Sequence, residues 1–258
     1  MLKVVTYRRC HLPRGWHQGG GEMIDTKNIK AILFDSGRVL NKPRTGHWFM
    51  PPNFFKYVDK NKFEALDISN IEKAFYKGDK YFHKHPLILT EVEEFEHFVE
   101  FYNIFAKELP GLGISDDYIL EVARDTVYND DKFEFFQDVF EVIPKLSQHY
   151  KLGVISDTWP SLERVFKNAG LREYFSSFVM SSVLGVLKPH ELMFNTALSE
   201  LNIKPEEAIF IDDNIVNVEA AIKLGMQGIV ILRGDKLEGN TDILCIDELS
   251  ELEKLLEK

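Results

Sequence analysis

The chain predicts an α/β fold, a parallel sheet with helical crossovers and a run of helices inserted after its first strand. Three observations carry this. From Phe140 onward, short apolar runs alternate with helical stretches of about ten residues, the pattern of parallel strands joined by right-handed crossovers. Residues 54 to about 130 instead repeat aromatic and aliphatic residues at helical spacing. The apolar run Ala31-Ile32-Leu33-Phe34 ends in Asp35, with Gly37 two residues on, as a buried strand does when its carboxyl end faces a ligand crevice.

Composition bounds the function. The 258 residues allow one large or two modest domains with a sizeable core. The hydrophobic (45%) and charged (28%) fractions are those of ordinary soluble globular proteins. No apolar run reaches the roughly 18 residues needed to cross a bilayer. A net charge of −10 argues against nucleic acid or an anionic membrane as partner. It leaves open a small anionic substrate, because a local cationic pocket can outweigh the global field. Cys10 and Cys245 provide no disulfide framework, which predicts a reducing, cytoplasmic setting. The sequence leaves monomer and homodimer open.

Residues 1–22 carry Arg8, Arg9, Arg14 and Gly19-Gly20-Gly21, with no helical period and no secretory apolar core. They read as a disordered extension, with Met23 as the natural start. A short basic binding arm is the alternative, and the intact mass of the native protein separates the two.

The elements follow in order. A polar lead-in, Asp25 to Asn28, feeds the strand Ile29–Phe34. Asn41 to Asn53, with Pro43, Gly46, Pro51 and Pro52, reads as a linker excluded from regular helix. Some four helices follow, with breaks at Gly78, at His85-Pro86 and at Pro110 to Gly113. Their aromatics read as the packing of a small bundle. The second half then gives a helix over Phe140–Tyr150, a strand over Lys151–Ser156 and a helix over Pro160–Ala169, with Pro160 in the first turn. A strand over Phe178–Ser181, a helix over Glu191–Leu201 and a strand over Ala208–Ile211 come next. A helix over Val216–Leu224, a strand over Gly228–Leu232, a last run Asp242–Ile246 and a helix from Glu248 close the chain.

Four strand ends are expected to deliver polar groups to one edge of the sheet: Asp35, Ser156, Lys188 in Gly185-Val186-Leu187-Lys188-Pro189, and Asp212 with Asp213. Carboxylates, a hydroxyl and an ammonium around one point suit phosphoryl transfer. One carboxylate attacks phosphorus, others hold a hard divalent cation, and the ammonium and hydroxyl hold phosphate oxygens. Taken singly, Ser156 reads as a capping residue, Lys188 as a solvated lysine, and Asp212-Asp213 as a helix cap. His47, His83, His85, His97 and His190 show no metal-ligand spacing and read as surface or core residues.

The stretch Phe210-Ile211-Asp212-Asp213-Asn214-Ile215-Val216-Asn217-Val218-Glu219-Ala220-Ala221-Ile222-Lys223-Leu224-Gly225, after the Asp35, Ser156 and Lys188 motifs in order, resembles the haloacid dehalogenase-like (HAD) hydrolase superfamily over about Ile29 to Leu256. The resemblance implies a three-layer α/β, Rossmann-like core over residues 23–42 and 136–258 and an α-helical bundle cap over 43–135. It also implies Mg²⁺ as cofactor and a small phosphorylated metabolite as substrate. By the resemblance, Asp35 is the nucleophile that forms an aspartyl-phosphate and a metal ligand, and the Gly37 carbonyl and Asp213 are further ligands. Ser156 and the Asp157 N–H bind phosphate, and Lys188 offsets its charge. Asp212 acts on metal-bound water, and Asn217 braces Lys188 or Asp213. The cap closes over the site, hinged near Asn41–Pro52 and before Phe140, with Gly46-His47-Trp48-Phe49 at the first hinge.

One position departs from the superfamily pattern. Phosphatases of this kind usually carry a second Asp two residues after the nucleophile, as acid and base. Here that residue is Gly37, and losing a general acid costs about 10²–10⁴ in rate. Arg38 stays protonated and cannot replace it; His47 or His190 is the replacement to look for. Three readings follow: a phosphatase acting on a small phosphomonoester, a slow or inactive binding protein on a hydrolase fold, and a 2-haloacid dehalogenase.

Overall fold

The computed structural model describes residues 26–235 and 241–256; the extension read over residues 1–22 lies outside them. The strands are β1 (Ala31–Phe34), β2 (Asn41–Pro43), β3 (Phe133–Phe135), β4 (Lys151–Ser156), β5 (Phe175–Met180), β6 (Ala208–Asp212), β7 (Gln227–Ile231) and β8 (Leu244–Ile246). Six of them form one parallel sheet in the order β5-β4-β1-β6-β7-β8. β1 therefore sits near the middle. Successive strands run outward from it in one direction through β4 and β5, and in the other through β6, β7 and β8. Ligand crevices form at such a reversal, beyond the carboxyl ends of the strands.

Register fixes what meets there. Phe34 lies level with Val154 on β4 and with Ile211 on β6, and the Asp35 N–H donates to the Ile211 carbonyl at 2.9 Å. Asp35, Ser156 and Asp212 thus leave the sheet at nearly the same height. Alternation along β1 sorts the two faces. Ile32 and Phe34 join a cluster with Val139, Ile143, Leu162, Phe166 and Leu252, whereas Ala31 and Leu33 pack with Phe194, Ala197, Phe210 and Ala221.

The insert contains α1 (Phe54–Tyr57), α2 (Lys60–Glu64), α3 (Ile68–Lys84), α4 (Glu91–Glu108) and α5 (Asp116–Tyr128). The remaining helices are α6 (Gln137–Leu146), α7 (Ser161–Asn168), α8 (Ser181–Leu184), α9 (Glu191–Leu201), α10 (Ile215–Lys223) and α11 (Leu249–Leu256). α6, α7 and α11 cover one face of the sheet, and α9 and α10 the other, giving three layers. α4 begins with a capping box: Thr90 accepts from the Glu93 N–H, and the Glu93 carboxylate accepts from the Thr90 N–H. The insert has its own aromatic core, including Phe54, Phe63, Phe75, Phe98, Phe101 and Phe105.

Three expectations are corrected. Gly78 does not break a helix; it lies inside α3, where an added Cβ would sit 2.6 Å from the Phe101 ring, so it lets α3 press against α4. The stretch read as linker opens with β2, which pairs antiparallel with β3 and ties the two passages between sheet and insert together. Asn41 holds that strand start, fully buried and donating through Nδ2 to Ser36 Oγ at 2.7 Å. Lys188 comes not from a strand end but from the loop between α8 and α9, which begins at Gly185 with φ of 71°. Only glycine takes that backbone conformation without cost. No helix among the described residues is long and apolar enough to cross a membrane.

Candidate active site

Asp35 leaves β1 buried at 8% exposure. The Lys188 ammonium lies 2.8 Å from Asp35 Oδ1 and 2.8 Å from Asp212 Oδ2. Burial works against its charge, but Asp212, Asp35 and Asp157 outweigh it and hold its pKa well above that of free lysine. The lysine is fixed at its backbone too, where its N–H donates to Asp157 Oδ1 at 2.9 Å.

Asp212 is fully committed. Oδ2 accepts from Lys188 Nζ and from Asn217 Nδ2 at 3.0 Å, and Oδ1 accepts from the Asn214 N–H at 2.8 Å. These bonds tie it to Lys188 and to the start of α10. Asn217, one turn into α10 and on its buried face, reaches Asp212, not Lys188 or Asp213 directly. Ser156, at the end of β4, and Asp157 line the same cavity, as do Gly37 and Asp213. The residues that the resemblance assigns to nucleophile, phosphate, metal and support are therefore brought to one place.

The negative groups crowd one another. Oxygens of Asp35, Asp212 and Asp213 all lie within 4.8 Å of each other. Burial, with Asp212 adding repulsion, pushes Asp35 up to about 6 against the pull of Lys188. Burial and the charges of Asp35 and Asp212 push Asp213 up to about 7. Asp35 Oδ1 is buried and, despite its contact with Lys188, has no aligned hydrogen bond. An all-oxygen donor set with excess negative charge and an unsatisfied buried oxygen fits a hard divalent cation such as Mg²⁺.

This has a measurable consequence. Groups whose folded-state pKa is raised favour the fold fully below about pH 4, and that contribution fades as pH rises through 6 to 7. Above pH 7 the metal-free cluster opposes folding, and a cation relieves it. Mg²⁺ is therefore expected to raise the melting temperature by several degrees at pH 8 and by much less at pH 5. An equal shift at both pH values would place the metal elsewhere.

The cavity measures about 850 Å³ and is walled on its other sides by Arg38, Trp48, Phe49, Lys132, Phe133 and Trp159. Trp48 and Phe49 come from the stretch expected at the first hinge. Lys132 is a residue the sequence did not single out. It precedes β3, is 3% exposed, and places Nζ over the rings of Phe98, Phe133 and Trp159. Its neighbours Asp130 and Asp131 make it look like part of a solvated charge run, so only its burial distinguishes it.

Neither replacement histidine reaches the cavity. His47 packs against Phe75 and Phe49, where burial lowers its pKa to about 4. His190 caps α9, its Nδ1 accepting from the Leu192 N–H. His83 is exposed beside Asp79, and His97 bonds Tyr81 within the insert.

The insert is fastened to the sheet layer beside this cavity. The buried Glu94 of α4 accepts from both the N–H and Oγ of Ser161 at the start of α7. Arg164 of α7 reaches Glu91, Asp130 and the Val127 carbonyl.

The point where the sheet order reverses thus gathers three carboxylates, a buried lysine and a serine in one cavity. A family model for haloacid dehalogenase-like hydrolases matches residues 101–231. The chain is 31% identical over 221 residues to the glyceraldehyde 3-phosphate phosphatase of Methanopyrus kandleri, across 80% of this chain and 85% of that enzyme. It is 27% identical over 135 residues to the pyrophosphatase PpaX of Bacillus thuringiensis, across 50% of this chain and 62% of PpaX. The HAD-hydrolase YfnB of Bacillus subtilis, bound to magnesium, shares the fold with a TM-score of 0.65 at 16% identity, over 89% of this chain and 99% of YfnB. The chain belongs to the haloacid dehalogenase-like hydrolase family, and it is a hydrolase with phosphatases among its relatives.

Proposed function

We propose that the protein is a Mg²⁺-dependent phosphatase of small phosphorylated metabolites that works through an aspartyl-phosphate on Asp35. The observation that carries this is the Asp35–Lys188–Asp212 arrangement, in which a buried ammonium touches the nucleophile while Asp212 and Asn217 hold it in place. Asp35 attacks phosphorus in line. Lys188 and the Ser156 hydroxyl hold the oxygens of the transferring group, and Asp157 keeps the loop of Lys188 in position. Mg²⁺, when held by Asp35, Asp213 and the Gly37 carbonyl, supplies charge neutralisation at the phosphoryl group. Water then releases phosphate and regenerates the carboxylate. The gain comes mainly from positioning and charge stabilisation.

The phosphatase relatives and the three-carboxylate cluster favour this over a dehalogenase, which needs no cation. Gly37 favours a second reading, a binding protein with little turnover. Hydrolysis of p-nitrophenyl phosphate with and without Mg²⁺ separates them. Metal-dependent release of p-nitrophenol supports the phosphatase, and none across pH 5 to 9 from folded protein supports the binding protein.

A further inference from the structure

The nucleophile lacks an acid partner, and the structure fills the place where one would stand. A Cβ added to Gly37 would lie 3.3 Å from Cζ2 of Trp48, so the indole occupies the direction a side chain there would take. None of the residues lining the cavity is a histidine. Its carboxylates are already engaged: Asp212 by three hydrogen bonds, Asp157 by the Lys188 N–H, and Asp35 and Asp213 in the metal cluster. A leaving group that needs a proton finds no evident carboxylic donor.

Lys132 offers something else. Its ammonium has three donors, and its hydrogen bond is one of 3.3 Å to the Thr126 carbonyl. Glu94 and Asp125 act on it electrostatically, without a hydrogen bond to either. Burial lowers its pKa to about 8, against the pull of Glu94 and Asp125, so the charge is kept at neutral pH. A buried cation with spare donors, in the wall of a catalytic cavity and ringed by Phe98, Phe133 and Trp159, is arranged to receive an anion.

We propose that this site cleaves a phosphoric anhydride, a diphosphate, and that Lys132 binds the phosphate that departs. The proposal rests on the phosphatase reading above and narrows its substrate. An oxygen of Asp35 bonds to the terminal phosphorus while the bond from that phosphorus to the bridging oxygen breaks. The electron pair leaves on the bridging oxygen, which becomes part of a second phosphate. The departing phosphate leaves as its dianion, whose conjugate acid has a pKa of about 6 for a phosphate monoester, so it takes no proton from the protein; in pyrophosphate it keeps the proton it already carries. An alkoxide is far more basic and needs the proton that Gly37 cannot supply. Hydrolysis of the aspartyl-phosphate then consumes one water and releases inorganic phosphate, with the proton passing to solvent. Lys132 offsets the charge that accumulates on the departing group, a contribution of the size seen for single charge-stabilising donors, about 10²–10³ in rate.

The test compares three probes with Mg²⁺ on the full chain: inorganic pyrophosphate, p-nitrophenyl phosphate and glycerol 3-phosphate. The expected result is turnover of the first two, with kcat/KM for glycerol 3-phosphate at least about 10²-fold lower. Lys132→Met is expected to lower kcat/KM for pyrophosphate about 10²-fold and for p-nitrophenyl phosphate, whose departing phenolate spreads a single charge over its ring, by about tenfold at most, and Lys132→Arg to restore most of the loss. Pyrophosphate refused while p-nitrophenyl phosphate turns over would overturn the proposal and leave the phosphatase standing. So would glycerol 3-phosphate turned over as fast as pyrophosphate, which would make a proton donor of some cavity residue. An equal loss on both accepted probes in Lys132→Met, or no rescue by arginine, would mark Lys132 as structural. Turnover of none of the three by wild-type protein would overturn the phosphatase reading itself.

Discussion

Asp35→Asn is expected to lower kcat by at least about 10⁴-fold on any phosphorylated probe, without unfolding the protein. The amide keeps the volume of the carboxylate but cannot attack phosphorus, and removing a covalent nucleophile leaves only the catalysis due to binding. Stability is expected to move the other way. Burial and repulsion from Asp212 hold Asp35 at about 6 despite its contact with Lys188. At pH 8 its charged form therefore costs the metal-free fold free energy, of order 1–3 kcal/mol. The variant is expected to melt at or above the wild-type temperature at pH 8 in the absence of metal. Lost activity with unchanged or raised stability separates a missing nucleophile from a damaged fold.

Lys188→Met is expected to damage both. The ammonium is the cation in contact with Asp35 and Asp212, and its side chain is 1% exposed. Removing one partner of such a buried group costs about 3–5 kcal/mol, because the carboxylates stay behind with no compensating charge. The loss is expected to be greatest at pH 8 and smaller at pH 5, where Asp35 and Asp213 take up protons. Activity is expected to fall about 10²–10³-fold, the effect of losing one preorganised charge at the transferring group. Thermal melts at both pH values, read beside kcat, check this. A stability loss independent of pH would mean that packing, not charge, is what Lys188 supplies.

Much of this site is legible in the sequence because it is held by strand ends. Asp35, Ser156 and Asp212 each close an apolar run, and parallel pairing brings such ends to one edge whatever lies between them. The level register of Phe34, Val154 and Ile211 turns that general rule into contact. Lys188 is legible by its motif rather than its element, since a loop after α8 supplies it. Gly78 reads as a break because a glycine that ends a helix and one that admits a neighbouring ring look the same locally. The β2–β3 pair is silent in the sequence for a related reason: three-residue strands 90 positions apart carry no periodic signal. Lys132 and Trp48 are the clearest cases. Each owes its place to residues distant in the chain, Lys132 to the aromatic core of the insert and Trp48 to the ring of Phe133. No local pattern distinguishes a lysine destined for burial from one on a solvated face.

Covalent transfer to Asp35 is tested most directly by trapping. Because position 37 offers no base to activate water, hydrolysis of the intermediate is expected to be the slower step. Protein turning over p-nitrophenyl phosphate with Mg²⁺ is quenched in acid within milliseconds to seconds and digested, and its peptides are weighed. The expected result is a burst of p-nitrophenol near one equivalent of enzyme, with one phosphoryl group on the peptide that contains Asp35 and none on the same peptide from Asp35→Asn. Steady turnover with that peptide unmodified at every time, or a phosphoryl group on a different residue, would contradict it.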